Sequence, residues 1–243
     1  MRRWRKSHGY PASRDAGILG EYVKKLRQEA EDFTKEPLTV TAASFPNLVA
    51  LYEEDVVDAF EWAGLKHQEF YLSHPLRAVS GQYAAYGFGL CSDYKEKETC
   101  REEEKKLPLG RTVNIQFTKD ALIVEVPTLR LAERPIMYWA HTFIDFELGY
   151  NSRNSSQFWE SVRARIEDHF RKNLHADDWN EFSDIPSKVF VVGDKSVHDE
   201  NFRSVVNEAC FWKRGELEFF DDDVIFKTAK GTAEIMRRSL WFK

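Results

Sequence analysis

Apolar residues recur with a helical period from Ile18 to Phe33. Ile18, Leu19, Tyr22, Val23, Leu26, Ala30 and Phe33 form one stripe, with Lys, Arg and Glu opposite. The spacing predicts an amphipathic helix that buries this stripe, and Pro37 helps to end it. Leu38 to Ser44 (LTVTAAS) is β-rich. After a turn at Pro46 a second helix is expected, with the acidic run Glu53-Glu54-Asp55 favouring its N-terminus and Gly64 suited to its C-cap. Gln68 to Ser73 is a strand candidate. Ala78 to Leu90 predicts a small-residue helix that packs closely against another element. Asp93 to Lys106 is a charge run, read as a solvated loop or an exposed helix.

The pattern then changes to period two. TVNIQFTKDALIVEVPTL, from Thr112 to Leu129, predicts a hairpin turning around Thr118, Lys119 and Asp120. A mixed segment follows from Arg130 to Gly149. A helix over Asn154 to Leu174 is expected, with Asn154 as its cap, Gln157 three residues on, and Phe158, Val162, Ile166 and Phe170 on one face. Ala176 to Pro186 is a polar, acidic connection. KVFVVGDKSVHDENFRSVVNEAC, from Lys188 to Cys210, reads as a strand, a tight Gly-Asp turn and a helix that buries Phe202, Val205, Val206, Ala209 and Cys210. The chain closes on a short strand, an acidic turn and a helix containing Gly231. A helical Gly costs about 1 kcal/mol relative to Ala, so close packing is expected there. The order is that of an α/β protein with a mixed sheet flanked by helices.

Composition narrows the function classes. With 42% hydrophobic residues and 14% aromatic, a sizeable core is expected rather than extended disorder. A net charge of −5 argues against a general nucleic-acid binder, which needs a basic face. The basic start MRRWRK reads as a frayed, solvated tail over residues 1–16. No apolar stretch follows it as a secretory signal would require, and no run approaches the ~20 apolar residues of a membrane span. Cys91, Cys100 and Cys210 form no disulfide or metal pattern, so reduced thiols and a cytoplasmic location are expected.

Isolated chemistry is sparse. His169 and His175 cannot share a helical face at metal spacing, and His141 with Asp145 offers only two ligands where zinc takes three or four. His198 and Asp199 are adjacent in the opening turn of the Gly-Asp junction, and neighbouring side chains usually point apart. Trp139, Trp159, Trp179, Trp212 and Trp241 are expected in the core or at contacts.

Several stretches, taken in order, resemble one superfamily. They are TVTAASFPNLVALYEEDVVDAFEWAGL, SHPLRAVSGQYAAYGFGL, RTVNIQFTKDALIVEV, KVFVVGDKSVHDENFRSVVNEA and TAKGTAEIMRRSL. Together they resemble the actin-like ATPase-domain superfamily, in particular the nucleotide-binding domain of seventy-kilodalton heat-shock chaperones, with a closer likeness to fungal actin-like ATPase-domain proteins. The likeness covers roughly residues 17–92, 110–130 and 187–240. It implies one partial actin-like domain over 17–243, with 17–110 and 220–243 in a first lobe and 111–219 in a second. It also implies ATP or ADP held with magnesium by two phosphate hairpins and an adenosine loop. The residues it assigns to nucleotide are Gly193, Asp194 and Lys195 in the adenosine loop, Gly231 in the closing helix and Asp120 at the second hairpin.

Departures from the pattern shape the functional expectation. The first hairpin and catalytic lysine precede the aligned stretches, so the chain reads as N-terminally truncated. The second hairpin lacks its glycines, which elsewhere let backbone amides approach phosphate, and Asn114 or Gln116 stands near the expected acid. His74, beside Pro75, replaces the catalytic Glu, and Asp194 replaces the second adenosine-loop Gly. Phosphoryl transfer needs neutralised charge and a positioned water. The expected function is therefore a degenerate, non-catalytic homologue acting through protein contacts, with itself or another protein, or through weak adenine-nucleotide binding. The alternative is an active ATPase completed by a partner or by self-association.

Overall fold

Alternating apolar residues build the centre of the protein. The computed structural model describes residues 1–46, 48, 51–67, 76–135, 142–173, 188–210 and 218–240. The strand candidate at Gln68 to Ser73, the connection at Ala176 to Pro186, His74, His141, His175, Trp139, Trp179, Trp212 and Trp241 lie outside the described residues. By packing, the chain divides into one unit of residues 1–78 with 232–243 and a second of residues 79–231.

The first unit begins with helix α1 (Arg2–Ser7), followed by α2 (Arg14–Thr34), strands β1 (Val40–Thr41) and β2 (Ser44–Phe45), α3 (Glu53–Trp62), β3 (Lys66–His67) and β4 (Leu76–Arg77). β1 pairs with β3 and β2 with β4, each in parallel. The basic start is not a frayed tail. Arg2 pairs with Asp55 and Asp58 on α3, and Lys6 Nζ reaches Asp58 at 2.8 Å, because 55 and 58 are three apart and share a helix face. Ser13 caps α2 by accepting from the Ala16 amide at 3.0 Å, and Gly64 follows α3 at φ +72° as expected of a C-terminal glycine.

Of the residues fully buried on α2, only Val23 belongs to the predicted stripe. The helix buries Ala16, Gly17, Gly20 and Val23, while Leu26 is 66% and Phe33 89% exposed, with Ile18 and Tyr22 also exposed. The cause is the close approach of α3. A Cβ on Gly20 would lie 2.7 Å from Trp62 Cδ1 and 2.9 Å from the Ala59 carbonyl oxygen. Small residues bring the backbones together and leave the larger ones outside.

The second unit is built on a sheet. α4 (Ala78–Ala85) and α5 (Lys97–Lys106) lead into β5 (Gly110–Phe117), β6 (Leu122–Glu125), β7 (Thr128–Leu129) and β8 (Thr142–Asp145). Then come α6 (Phe158–Asn173), β9 (Lys188–Gly193), α7 (Glu200–Cys210), β10 (Glu218–Phe220) and the start of α8 (Lys227–Ser239), whose residues from Thr232 on belong to the first unit. The strand order is β10-β9-β5-β6-β8. β5, β6 and β8 are antiparallel neighbours, whereas β9 runs parallel to both β5 and β10. β7 pairs back onto the start of β5.

α6 and α7 cover one face of this sheet. Phe158, Val162, Ile166 and Phe170 join Phe202, Val205 and Val206 over Val113, Ile115, Phe117, Leu122, Val124, Val189 and Val191. Phe117 and Phe202 stack at 4.3 Å. On the opposite face Tyr83, Tyr86 and Phe88 close on Phe190 and Phe220. Burial on both faces makes β9 and the start of β6 continuous apolar runs, whereas β5 keeps polar residues on one face. This aromatic cluster places residues 79–110 with the sheet rather than with the first part of the chain, and Gly231 joins them through α4. α6 starts at Phe158, so Asn154 does not cap it; Ser155 Oγ instead accepts from the Gln157 amide at 3.4 Å.

Cys91 and Cys100 are joined by a disulfide, contrary to the expectation of reduced thiols. The charge run is an exposed helix, but its Cys100 faces inward, where the loop returns Cys91. Cys210 remains a thiol, and burial pushes its pKa up to about 12. Among the described residues no helix is long and apolar enough to cross a membrane.

Candidate functional site

β5 and β9 are parallel with Phe117 opposite Gly193, so the hairpin turn and the Gly-Asp turn lie at the same end of the sheet. Ligands of open α/β sheets bind outside the carboxyl ends of parallel strands. This end brings together Asp120, Gly193, Asp194 and Lys195. Gly231 lies elsewhere, against α4.

Gly193 is required by the approach of two strands. At φ +153°, a Cβ there would lie 1.9 Å from the Phe117 carbonyl oxygen. Its amide donates to the Val224 carbonyl at 3.2 Å. Asp194 then caps the 3₁₀ turn Lys195–His198. Its Oδ1 accepts from the Ser196 amide at 2.8 Å and from Ser196 Oγ, and its Oδ2 accepts from the Lys119 amide at 3.0 Å. Burial alone would raise this carboxyl's pKa, but the hydrogen bonds from Ser196 and Lys119 outweigh it and hold the group below its ordinary value. Lys195 is exposed.

The hairpin turn is enclosed on its other side. Thr118 accepts the Tyr150 amide at 3.0 Å, and Lys119 accepts the Asn151 amide at 2.9 Å. Asn151 Nδ2 donates to Asp120 Oδ1 at 3.1 Å. Gly149 is pressed so close that a Cβ would lie 2.4 Å from the Asp120 carbonyl carbon. Each amide from Thr118 to Ala121 already donates inside the protein. Thr118 bonds the Ala121 carbonyl, Lys119 bonds Asp194, and Asp120 and Ala121 bond Thr118 Oγ1. A phosphate cradle needs such amides turned outward, and here they face protein acceptors. The residues do not fit ATP with magnesium in the way the resemblance implies.

Asp194 has a consequence for pH dependence. A depressed carboxyl contributes stability that is present above its unfolded value, about 3.9, and is lost as pH falls through the lower folded value. Asp194→Ala should cost roughly 1.5–3 kcal/mol at pH 7 and should show a shallower acid limb. Urea denaturation from pH 7 to pH 3 reads this; wild-type and variant curves that stay parallel throughout would rule out a stabilising role for the Asp194 hydrogen bonds.

His198 and Asp199 form no pair. Asp199 accepts from the Tyr150 hydroxyl at 3.0 Å and from Asn201, while His198 is exposed. His169 is buried against Phe143, and Trp159 packs on the core. Beside α7 a groove of about 240 Å³ is walled by Val191, Val197, Phe202, Val206 and Phe219, with Arg203 paired to Asp221. It falls below the ~300–1,000 Å³ usual for small-molecule pockets.

A second constellation lies within the sheet. Thr112, Asn114 and Gln116 alternate along β5 on the face away from α6 and α7. Asn114 stands opposite Glu125 on β6, and Glu125 stands opposite Thr142 on β8. Asn114 and Glu125 are wholly buried, and Asn114 Nδ2 donates to Glu125 Oε2 at 2.7 Å. Asn114 Oδ1, Gln116 Nε2 and Thr112 Oγ1 have no hydrogen-bond partner among the described residues. Asn114 or Gln116 is expected near the acid of the second hairpin, and the pairing turns Asn114 toward Glu125. Glu125 itself was missed. Its signal is a lone carboxylate in the apolar run LIVEV. The comparison with protein-family models finds no match, and the comparison with curated proteins finds none either.

Proposed function

We propose that the chain is a degenerate, non-catalytic homologue of an actin-like, chaperone-type ATP-binding domain that acts through protein contacts. The fold part of this reading draws on topology. A hairpin and a strand-turn-helix junction meet at one end of a mixed sheet, as the phosphate hairpin and adenosine loop of that superfamily would. The loss of catalysis rests on one observation, the engagement of every amide of the hairpin turn by protein acceptors. Phosphoryl transfer works by positioning and charge neutralisation, and a turn closed against its own protein supplies neither. The exposed Ile18, Tyr22, Leu26 and Phe33 support contact with protein as the mode of action.

Calorimetric titration with ATP and with ADP, with and without Mg²⁺, tests this. The expected outcome is no heat of binding and no thermal stabilisation at millimolar nucleotide. Ligands that bind only the native state raise its apparent stability, so magnesium-dependent micromolar binding with a rise in melting temperature would overturn the reading.

A further inference from the structure

Cys91, Cys100 and Glu104 converge outside the site just described. Cys100 is wholly buried on α5, and Cys91 is 4% exposed. Cys100 and Glu104 are four apart on one helix, which stacks them on the same face. Glu104 Oε1 lies 3.6 Å from Cys100 Sγ. Both sulfurs and a Glu104 carboxylate oxygen lie within 4.8 Å of one another, the only such convergence of His, Cys, Asp and Glu side chains among the described residues. A second fastening holds the loop to α5 without the disulfide. Glu103 accepts from the Ser92 amide at 2.6 Å and from Ser92 Oγ at 2.7 Å. Breaking the sulfur–sulfur bond therefore leaves Cys91 beside Cys100.

We propose that the reduced pair, with Glu104, forms a binding site for a thiophilic divalent cation of the zinc type, occupied in exchange for the disulfide. A thiol or phosphine reductant supplies two electrons, and two protons from water convert the bond to two thiols. The cation displaces both protons and binds the two thiolates. A low-molecular-weight disulfide takes two electrons by thiol–disulfide exchange and leaves as two thiols, which re-forms the Cys91–Cys100 bond and releases the cation. Zinc takes tetrahedral ligands at about 2.3 Å for sulfur and about 2.0–2.2 Å for oxygen, so neighbouring ligand atoms stand about 3.5–3.8 Å apart. Glu104 Oε1 is already at that separation from Cys100 Sγ, and rotation of the Cys side chains opens the sulfurs to it. Three protein ligands leave a fourth position for water or a partner's side chain. Two thiolates select a borderline or soft cation over Mg²⁺ or Ca²⁺. Cys210 does not compete, because burial keeps its thiol protonated.

Cobalt(II) reports sulfur ligation through a charge-transfer band and is displaced by Zn²⁺. The full chain reduced with a phosphine should develop that band at one Co²⁺ per chain, and Zn²⁺ should bleach it. The oxidised chain should show none. Glu104→Gln should weaken binding roughly tenfold or more, whereas Glu98→Gln on the exposed side of α5 should leave it unchanged. The wild-type band reads sulfur ligation directly, so the test stands even if a cysteine variant fails to fold. A reduced wild-type chain without the band would overturn the proposal. So would a band that persists in the Cys91→Ser/Cys100→Ser double variant, or an unchanged affinity in Glu104→Gln.

Discussion

Gly231→Ala should lower the free energy of unfolding by roughly 3 kcal/mol, although alanine is the better helix former by about 1 kcal/mol. The steric effect wins because there is no room for a methyl group. A Cβ at Gly231 would lie 1.7 Å from the Gly81 carbonyl oxygen and 2.7 Å from the Ala85 amide nitrogen, both backbone atoms of α4 that cannot rotate away. Relief requires the helices to separate, and α4 carries Tyr83, whose ring closes on Phe190 in the sheet. Gly110→Ala is the matched control. A Cβ there meets nothing within 4 Å, and its backbone is not left-handed. Its free energy of unfolding in urea should stay within about 0.5 kcal/mol of wild type. An unchanged midpoint for Gly231→Ala would mean that the two helices do not approach at this position. It would also reopen Gly231 for the nucleotide role that the resemblance gives it.

The same comparison shows where sequence carries the fold and where it stops. The hairpin over β5 and β6 and the passage from β9 through Gly193 to α7 were legible, because strand alternation and a turn glycine are local signals. The close packing at Gly231 was legible for the same reason, since a costly residue inside a helix implies a neighbour. The face buried by α2 was not. Its larger apolar residues mark one stripe, but Gly20 against Ala59 and Trp62 decides which side meets α3, and that choice belongs to the partner helix. The pairing of Cys91 with Cys100 depends on a loop returning to α5, which spacing alone does not specify. At the candidate site, Gly193 and Asp194 lie beside the hairpin turn that carries Asp120. Their closure does not follow from the motif, because the groups that seal the turn come from Asn151 and Tyr150, about thirty residues further along the chain.

The buried pair in the sheet gives the second large effect. Glu125→Ala removes the acceptor of the Asn114 amide, leaves a buried donor unpaired and opens a gap at a wholly buried position. A buried donor left without its partner costs about 1–3 kcal/mol; with the cavity left by the lost side chain, a destabilisation of roughly 3–5 kcal/mol is expected. The Asn114→Val/Glu125→Leu double variant should recover more than half of that loss. Replacing both members leaves neither one orphaned, and it also removes Asn114 Oδ1, which has no partner among the described residues. Valine and leucine match the residues that surround them on β5 and β6. Denaturation of wild type, Asn114→Val, Glu125→Leu and the double variant closes a thermodynamic cycle, with Glu125→Ala measured beside it. A double variant no more stable than Glu125→Ala would show that the carboxylate is kept for something other than its bond to Asn114. In that case the polar row from Asn114 to Thr142 would become the place to look for chemistry. Recovery would make the row a device of sheet register, in which one hydrogen bond between β5 and β6 fixes which residues of the hairpin face α6 and α7.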